Sequence, residues 1–236
     1  MTIEKKITQS EKIMHQFANK IISKEWEEGK RLPSERSLAI ELGTTRGQVR
    51  EALRALSLIG LVTIRPSDGT FVSTKEQPIP ENSISWIFQR ELHNRDDLYH
   101  ARKLIEADVL KLAFENVTKK DLEQLEMITQ NMMAITTDTT SVEEYNTSIE
   151  TFDLFMGNIC GSKIMEQLMQ TIVLLRRESS LEILKVPGAI ENSTHYRKKI
   201  ECAFVERDRK KLIYSLNEFY NKSKQYLDTM SKTVRR

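Results

Sequence analysis

The sequence predicts a mainly α-helical chain in two parts: a small N-terminal domain of short helices with one β-hairpin, and a C-terminal all-α bundle of about six helices. Three observations predict this fold class. Apolar residues recur at helical spacing through most of the 236 residues. Glycine and proline, which end helices, are rare, with eight and five copies. Residues 61–73 instead have the composition of two strands around a Pro-Ser-Asp-Gly turn.

These features divide the chain into three predicted regions. Residues 1–75 form the N-terminal domain, residues 76–96 a linker with a short docking helix, and residues 97–230 the helical domain. The composition of residues 77–82 indicates the linker, and the apolar run that follows predicts the short helix. We interpret Trp86 in that helix as a packing anchor at the domain junction, with a direct ligand contact as the alternative.

The N-terminal domain begins with a helix predicted over residues 10–24. Its apolar residues recur every four positions, at Ile13, Phe17 and Ile21. Two short helices with a tight turn follow it. Ser34 is predicted to cap the first, Gly43 to end it, and Thr44 or Thr45 to cap the second. The sequence therefore predicts a helix-turn-helix.

The second of these short helices has the properties of a helix that reads DNA. Its inward side carries Val49, Leu53, Leu56 and Ser57, and its outward side near the N-terminus carries Arg46, Gln48 and Arg50. Arginine can hydrogen-bond to guanine and glutamine to adenine, and a helix N-terminus favours phosphate. The alternative is a basic surface helix that is merely solvated.

A β-hairpin follows at once, and a helix-turn-helix followed by a hairpin is a winged helix. We predict strands at residues 61–65 and 70–73, with a turn at residues 66–69. Arg31 and Leu32 are predicted to add a short strand to this wing. The tip between Arg65 and Gly69 can reach the minor groove or the DNA backbone.

The same stretch resembles a known family. The pattern LPSER-LA--LG-TR--VREAL--L---GLV-IRP--GTFV, from about Arg31 to Val72, is similar to the DNA-binding domain of GntR-type bacterial transcription regulators. Ser67 departs from it, because many relatives have a wing glycine there, and Gly47 leaves a bare spot on the recognition helix. The resemblance implies that the DNA contacts of the family fall on Arg36, Thr45, Arg46, Gln48, Arg50 and Gly69.

Composition agrees with this interpretation. Residues 1–75 carry 13 Lys and Arg against 9 Asp and Glu, so the basic excess lies with the predicted DNA-binding domain. Cys160 and Cys202 form no CxxC motif, which argues against a disulfide framework and a zinc ribbon. No apolar run approaches the roughly 18–20 residues that span a bilayer, and residues 1–15 lack the apolar core of a signal peptide. We therefore expect a cytoplasmic protein with no membrane partner and no cofactor.

The region from Asp97 onward resembles the all-helical effector domain, called FCD, of the FadR subfamily of these regulators. Three segments carry this looser similarity, which covers about residues 97–228: LYHARKLIEADVLKLA, FDLFMGNICGSKIM and IECAFVERDRKKLIYSLNEFY. The first helix is predicted to bury one apolar stripe: Leu98, Ala101, Leu104, Ile105, Val109, Leu112 and Ala113.

Many relatives bind a divalent metal in this domain through one aspartate and three histidines. By the resemblance, those four positions fall here on Ile149, Asp153, Arg197 and Phe219, so only Asp153 could still coordinate and no metal is expected. We hypothesise that an Asp153–Arg197 ion pair replaces the metal, in an effector pocket that Ile149 and Phe219 make more apolar. The alternative is an alignment error of two residues, which would make His195 a ligand.

Arg102 is the position that, by the resemblance, reaches into the pocket and pairs with an acidic effector. A guanidinium group suits a carboxylate because it donates two parallel hydrogen bonds. An ion pair with Glu106, four residues on along the same helix, is an equally valid and compatible interpretation.

The sequence thus predicts a transcription regulator, and in particular a repressor. It would bind a near-palindromic double-stranded DNA operator as a homodimer and respond to a small carboxylate effector held in the helical domain. One alternative is an architectural DNA-binding dimer without an effector. The other is a metal-dependent enzyme, which the lack of a nucleophile motif and of a ligand set disfavours.

Overall fold

The computed structural model describes residues 7–74, 80–89, 91–92, 94–135 and 141–233. These ranges contain ten α-helices and one two-stranded antiparallel sheet. The chain divides into two compact units, Met1–Ile87 and Phe88–Arg236. Part of the predicted linker, residues 76–79, 90 and 93, lies outside the described residues. Within the described ranges, no helix combines the length and the apolar character needed to span a bilayer.

The first unit has the elements of a winged helix in the predicted order, and the predicted fold is confirmed. The elements are α1 (Gln9–Ile22), α2 (Glu35–Glu41), α3 (Arg46–Leu58), β1 (Val62–Arg65), β2 (Gly69–Val72) and α4 (Glu81–Phe88). Its core unites apolar side chains from the first three helices and both strands: Ile13, Phe17, Leu38, Val49, Leu53, Leu56, Val62 and Val72. Of the inward face predicted for α3, Val49, Leu53 and Leu56 are buried and Ser57 is half-buried.

Local capping fixes where the two short helices begin. The Ser34 hydroxyl accepts a hydrogen bond from the Ser37 N–H at 3.1 Å, and Gly43 follows α2 with a φ of +59°. At α3 the Thr45 hydroxyl accepts from the Gln48 N–H at 3.3 Å, while the Gln48 side chain accepts from the Thr45 N–H at 3.3 Å. This reciprocal capping box makes Thr45, and not Thr44, the cap of α3.

The wing is a short hairpin in which Val62 lies opposite Val72 and Arg65 opposite Gly69. Arg31 forms a single bridge with Phe71, which confirms the added strand segment. Between the strands Ser67 has a φ of +64°, in the left-handed region that glycine tolerates best. The departure of Ser67 from the family pattern therefore leaves a strained residue in the turn.

We expect Ser67→Gly to raise the free energy of unfolding of the first unit by about 0.5–1 kcal/mol. A left-handed non-glycine residue costs roughly 1–2 kcal/mol, and the greater chain entropy of glycine offsets part of the gain. Both tryptophans, Trp26 and Trp86, belong to this unit, so their fluorescence in urea denaturation of the full chain reports on it. The matched Ser37→Gly variant in α2 should lower stability instead. A loss of stability in Ser67→Gly would contradict this account.

Helix α4 does not bury its tryptophan. Trp86 is 62% exposed, whereas Ile84 is buried and the Ser83 hydroxyl donates a hydrogen bond to the Leu58 carbonyl. The prediction that Trp86 is a packing anchor is therefore wrong, because Ser83 and Ile84 make the contacts of this helix.

The second unit contains six helices within the described residues, as predicted. They are α5 (Arg95–Asn116), α6 (Lys119–Ala134), α7 (Val142–Ile159), α8 (Lys163–Leu184), α9 (Ala189–Val205) and α10 (Arg209–Thr233). Their core consists of large side chains from all six helices, among them Val109, Leu125, Phe152, Met169, Phe204 and Leu212. Several polar and charged side chains are buried in the bundle together with this apolar core.

The predicted apolar stripe of α5 is partly wrong. Leu104 is 68% exposed and Leu112 is 37% exposed. The buried face of α5 instead includes Arg102 and Glu106, which are 7% and 1% exposed. These charged side chains can be buried because they pair with each other and Glu106 also pairs with Arg176 on α8.

Candidate nucleic-acid interface and ligand cavity

Two arginines lie on the exposed side of α3. Arg46 and Arg50 stand one turn apart and are both exposed, whereas Val49 between them is buried. Glu35, the first residue of α2, holds them together. Its carboxylate accepts from the Arg50 Nε at 3.1 Å and Nη2 at 3.0 Å, and lies 3.9 Å from the Arg46 Nη2. The hydrogen bond to Glu35 raises the pKa of Arg50, and the two-nitrogen contact orients its guanidinium group.

Thr45 and Gln48, which are also predicted to contact DNA, form hydrogen bonds at the N-terminus of α3. The Gln48 side-chain oxygen accepts from the Thr45 N–H at 3.3 Å and also from the Thr44 hydroxyl. Thr45 is exposed and Gln48 half-buried. The amide nitrogen is therefore the part of Gln48 best placed to donate to a base, whereas the oxygen stabilises the N-terminus of α3.

The remaining predicted contacts lie on α2 and on the wing. Arg36 is exposed. Gly69 lies under the side chain of Arg31, since a Cβ added there would come within 3.0 Å of the Arg31 Nε. Gly69 also has a φ of +122°, which favours glycine. The structure thus gives Gly69 a conformational role beside the predicted DNA contact.

The second unit contains a buried ionic cluster, which we define as Arg102, Glu106, Asp153, Arg176 and Arg197. Arg197 Nη2 lies 3.1 Å from Asp153 Oδ2, which confirms the predicted ion pair. Arg176 donates from Nη2 to the same oxygen. Each of the five side chains is at most 7% exposed. The cluster joins four helices, α5, α7, α8 and α9, in the centre of the bundle.

Glu106 anchors the other side of this cluster. It accepts from the Arg102 Nε at 2.9 Å, so the predicted intrahelical pair is present, and it lies 3.0 Å from the Arg176 Nε. The Tyr220 hydroxyl on α10 donates to Glu106 at 3.1 Å. Burial, and then repulsion from Glu106, raise the pKa of Tyr220 well above its ordinary value, so the hydroxyl keeps the proton that it donates.

The electrostatic balance differs between the arginines. Burial lowers the pKa of Arg102, but attraction to Glu106 and Asp153 outweighs burial and the net pKa is raised. For Arg176, burial outweighs the attraction of Asp153 and Glu106, and repulsion from Arg102 and Arg197 adds to it, so the pKa is lowered. Arginine nonetheless stays protonated in proteins. Positive charge is therefore crowded around Arg176.

A cavity of about 30 Å³ adjoins this cluster. Arg102, Ile149, Arg197 and Phe219 line it, as predicted for the effector pocket. Arg176 lines it too, with three serines that supply hydroxyl groups: Ser180, Ser193 and Ser223. Asp153, by contrast, is not among the described residues that line the cavity, and both of its oxygens accept from Arg176 or Arg197. This corrects its predicted place among the effector contacts.

The residues present do not fit the divalent metal that many FCD-type relatives hold. Three of the four positions carry Ile149, Arg197 and Phe219, which offer no ligand atom, and both oxygens of Asp153 accept from guanidinium groups. His195, the alternative ligand, is exposed. In the described part of the chain, no group of three or more His, Cys, Asp or Glu side chains is arranged to hold a metal ion.

Two charged residues of these sites were missed from the sequence. Glu35 belongs to the LPSER pattern, but its contact with α3 is tertiary. Arg176 carries a signal that could have been used: it shares the helix face of Ile172 and Val173, both buried, so a charged residue there breaks the apolar pattern of α8.

Comparisons with known proteins match both units. Residues 9–72 match the profile of the bacterial regulatory proteins of the gntR family, and residues 97–219 match that of the FCD domain. The chain is 28% identical over 158 residues to the HTH-type transcriptional regulator LutR of Bacillus subtilis, covering 67% of this chain and 71% of LutR. It is 26% identical to Mce2R of Mycobacterium tuberculosis over 90% of both chains.

A third relative and one solved structure are also similar to this chain. The galactonate operon transcriptional repressor of Escherichia coli is 25% identical over 142 residues, covering 58% of this chain and 62% of the repressor. The structure of Streptococcus agalactiae GntR aligns with a TM-score of 0.66 at 19% identity, covering 94% of this chain and 99% of that one. The latter likeness concerns the fold.

Proposed function

Since the chain belongs to the gntR family of bacterial regulatory proteins with an FCD domain, it is a DNA-binding transcription regulator and not an enzyme, and we propose that it is a homodimeric repressor released from its operator by a small carboxylate. A cytoplasmic location follows from this proposal, because that compartment holds bacterial DNA.

The observation that carries the DNA-binding part is the pair Arg46 and Arg50 on the exposed side of α3. The Arg50 guanidinium, which Glu35 orients, and the neighbouring guanidinium of Arg46 suit the O6 and N7 atoms of guanine in the major groove. Arg36, Thr45, Gln48 and the wing at Gly69 would add contacts to bases and backbone. A homodimer would place two such helices about one DNA turn apart, on a near-palindromic operator.

The effector part rests on the cavity of the second unit. Arg102, Arg176 and Arg197 line it, and guanidinium groups pair with carboxylates through two parallel hydrogen bonds. One relative is named as the repressor of a galactonate operon, and galactonate is a carboxylate. This name supports both repression and an acidic effector for the present chain. Effector binding would shift the pose of the DNA-binding units and weaken operator binding.

Selection of bound duplexes from a random DNA pool tests the proposal directly. We expect an enriched sequence with two inverted half-sites centred about 10 base pairs apart. The selected operator, labelled for fluorescence anisotropy, is then titrated against a panel of small organic acids, and at least one should release it. A pool without enrichment would contradict operator binding. Release by none of the acids would instead favour the architectural DNA-binding dimer.

We expect Glu35→Gln to weaken discrimination between operator and unrelated DNA, by up to about fivefold per half-site. The substitution keeps the shape of the side chain but frees the Arg50 guanidinium, which then adapts to any phosphate. Affinity for unrelated DNA should rise slightly, because a negative charge near the backbone is removed. Anisotropy with the two duplexes measures the ratio.

The matched control for this prediction is Glu41→Gln on the same helix. Glu41 lies 3.9 Å from the Lys20 Nζ and leaves the two arginines of α3 untouched. Its ratio of affinities should equal that of the unaltered protein. If Glu35→Gln also leaves the ratio unchanged, Glu35 does not orient the recognition helix.

A further inference from the structure

The side chains around the cavity carry more positive charge than the neighbouring carboxylates neutralise. Three guanidinium cations in the ionic cluster face two carboxylates, which leaves one positive charge in excess. Nearby buried acids are already neutralised, since Glu150 pairs with Arg177 and Glu201 with Lys198. All three arginines line the cavity, whereas among the described residues that line it neither carboxylate appears. The cavity therefore presents the cationic side of the cluster.

Some donors on this wall have no acceptor. The Arg197 Nε is buried without a hydrogen-bond partner in the described part of the chain. The Arg176 Nε lies 3.0 Å from Glu106, but out of line for a hydrogen bond. A buried donor without an acceptor and a buried charge without a counter-charge are both unfavourable. One anion in the cavity would relieve both.

We propose that Arg102, Arg176 and Arg197 form a metal-independent site for one monovalent anion, the carboxylate group of a monocarboxylate. The proposal rests on the proposed function and defines the charge of the effector. The excess charge of the cluster is matched by one negative charge and not by two. The cavity offers about 30 Å³, and one water molecule needs roughly 10–15 Å³ on the same measure, so the site fits one small group such as a carboxylate.

The serines of the cavity wall are suited to the same ligand. Ser193 already accepts from the Arg197 Nη1 at 2.6 Å, so its own hydroxyl proton is available to an anion. Ile149 and Phe219 line the cavity too, and they suit the short apolar part of a monocarboxylate. In this arrangement guanidinium groups contact the ligand directly, without a metal ion between them.

Three small ligands test whether the site selects a single negative charge, and each is titrated into the whole chain. Isothermal titration calorimetry in the presence of a chelator is performed with propionate, with its neutral isostere propionamide, and with malonate as a dianion. We expect propionate to bind, propionamide to show no binding, and malonate to bind at least about tenfold more weakly than propionate. Equal binding of propionate and propionamide would overturn the proposal, and so would tighter binding of malonate.

Variants at one position test the role of the guanidinium charge. Arg176→Gln makes the cluster neutral and should weaken propionate binding at least about tenfold, the loss expected for one charge-assisted hydrogen bond. Arg176→Lys keeps the charge and should retain most of the affinity. Arg177→Gln changes the next residue on α8, which pairs with Glu150 outside the ionic cluster and is partly exposed, and this variant should bind like the unaltered protein. Equal affinity in Arg176→Gln and Arg177→Gln would overturn the proposal.

Two outcomes separate this inference from the proposed function. If operator release by an organic acid disappears in chelator and returns with Zn²⁺, the effector is real but a metal mediates it, and the inference is wrong. If no acid binds or releases the operator with or without Zn²⁺, both fail. Should Arg176→Gln not fold, the three probes on the unaltered protein decide alone.

Discussion

Replacing either Arg46 or Arg50 by alanine is expected to reduce operator affinity by about tenfold to 100-fold per half-site, while the fold stays intact. A bidentate arginine–guanine contact accounts for a loss of this size. Both side chains are exposed and outside the core, so the thermal unfolding of the first unit should stay close to that of the unaltered protein. Anisotropy with the selected operator and circular dichroism measure the two quantities.

Arg54→Ala is the matched control, because Arg54 is an exposed arginine on the same helix one turn further on. Removing its charge should lower affinity for operator and for unrelated DNA alike. Arg46→Ala and Arg50→Ala should differ by losing affinity mainly for the operator. If both leave operator affinity unchanged, or if their losses match that of Arg54→Ala for every duplex, then α3 does not read bases.

We expect Asp153→Ala to lower the stability of the second unit strongly. The carboxylate of Asp153 is the partner of both Arg176 and Arg197, so its removal leaves two guanidinium groups buried with too little negative charge around them. Breaking a buried ionic interaction in this way costs about 3–5 kcal/mol. The melting temperature of the second unit should then fall by roughly 6–20 °C. Differential scanning calorimetry of the full chain measures it.

Glu150→Ala provides the comparison on the same helix. Glu150 stands one turn before Asp153 and pairs with Arg177, whose side chain is 44% exposed. Water can solvate Arg177 when its partner is lost, so the melting temperature should fall much less. A fall in Asp153→Ala no larger than that in Glu150→Ala would show that the ionic cluster contributes little to the stability of the bundle.

The winged helix could be predicted from the sequence because its signals are local. Ser34, Thr45 and Gly43 mark helix ends within a few residues of where they act, and the hairpin turn is equally short in sequence. The family pattern then gave the candidate DNA contacts, which stay predictions. Glu35 was missed because its contact with Arg50 joins two helices, and no spacing rule reports such a pair.

The second unit was harder to predict, for a physical reason. Its helices bury both apolar residues and charges, so the apolar pattern of α5 placed Leu104 and Leu112 inside while the packing buries Arg102 and Glu106. A charge is buried at low cost only when opposite charges neutralise it, and the partners that Arg102 and Glu106 find on other helices, Asp153 and Arg176, lie 51 and 70 positions away in the printed chain. The pair Asp153–Arg197 was found because the resemblance supplied the two positions.

The buried ionic cluster also determines which arrangement of the bundle is permitted. Its five charges come from α5, α7, α8 and α9, with most of their N–O separations near 3 Å. If α7, α8 or α9 slipped along its axis by a single turn, about 5.4 Å, its charge in the cluster would lose its counter-ions and remain in an apolar interior. Apolar side chains alone would tolerate such a slip, because one leucine replaces another. The buried charges thus specify one axial alignment of the four helices.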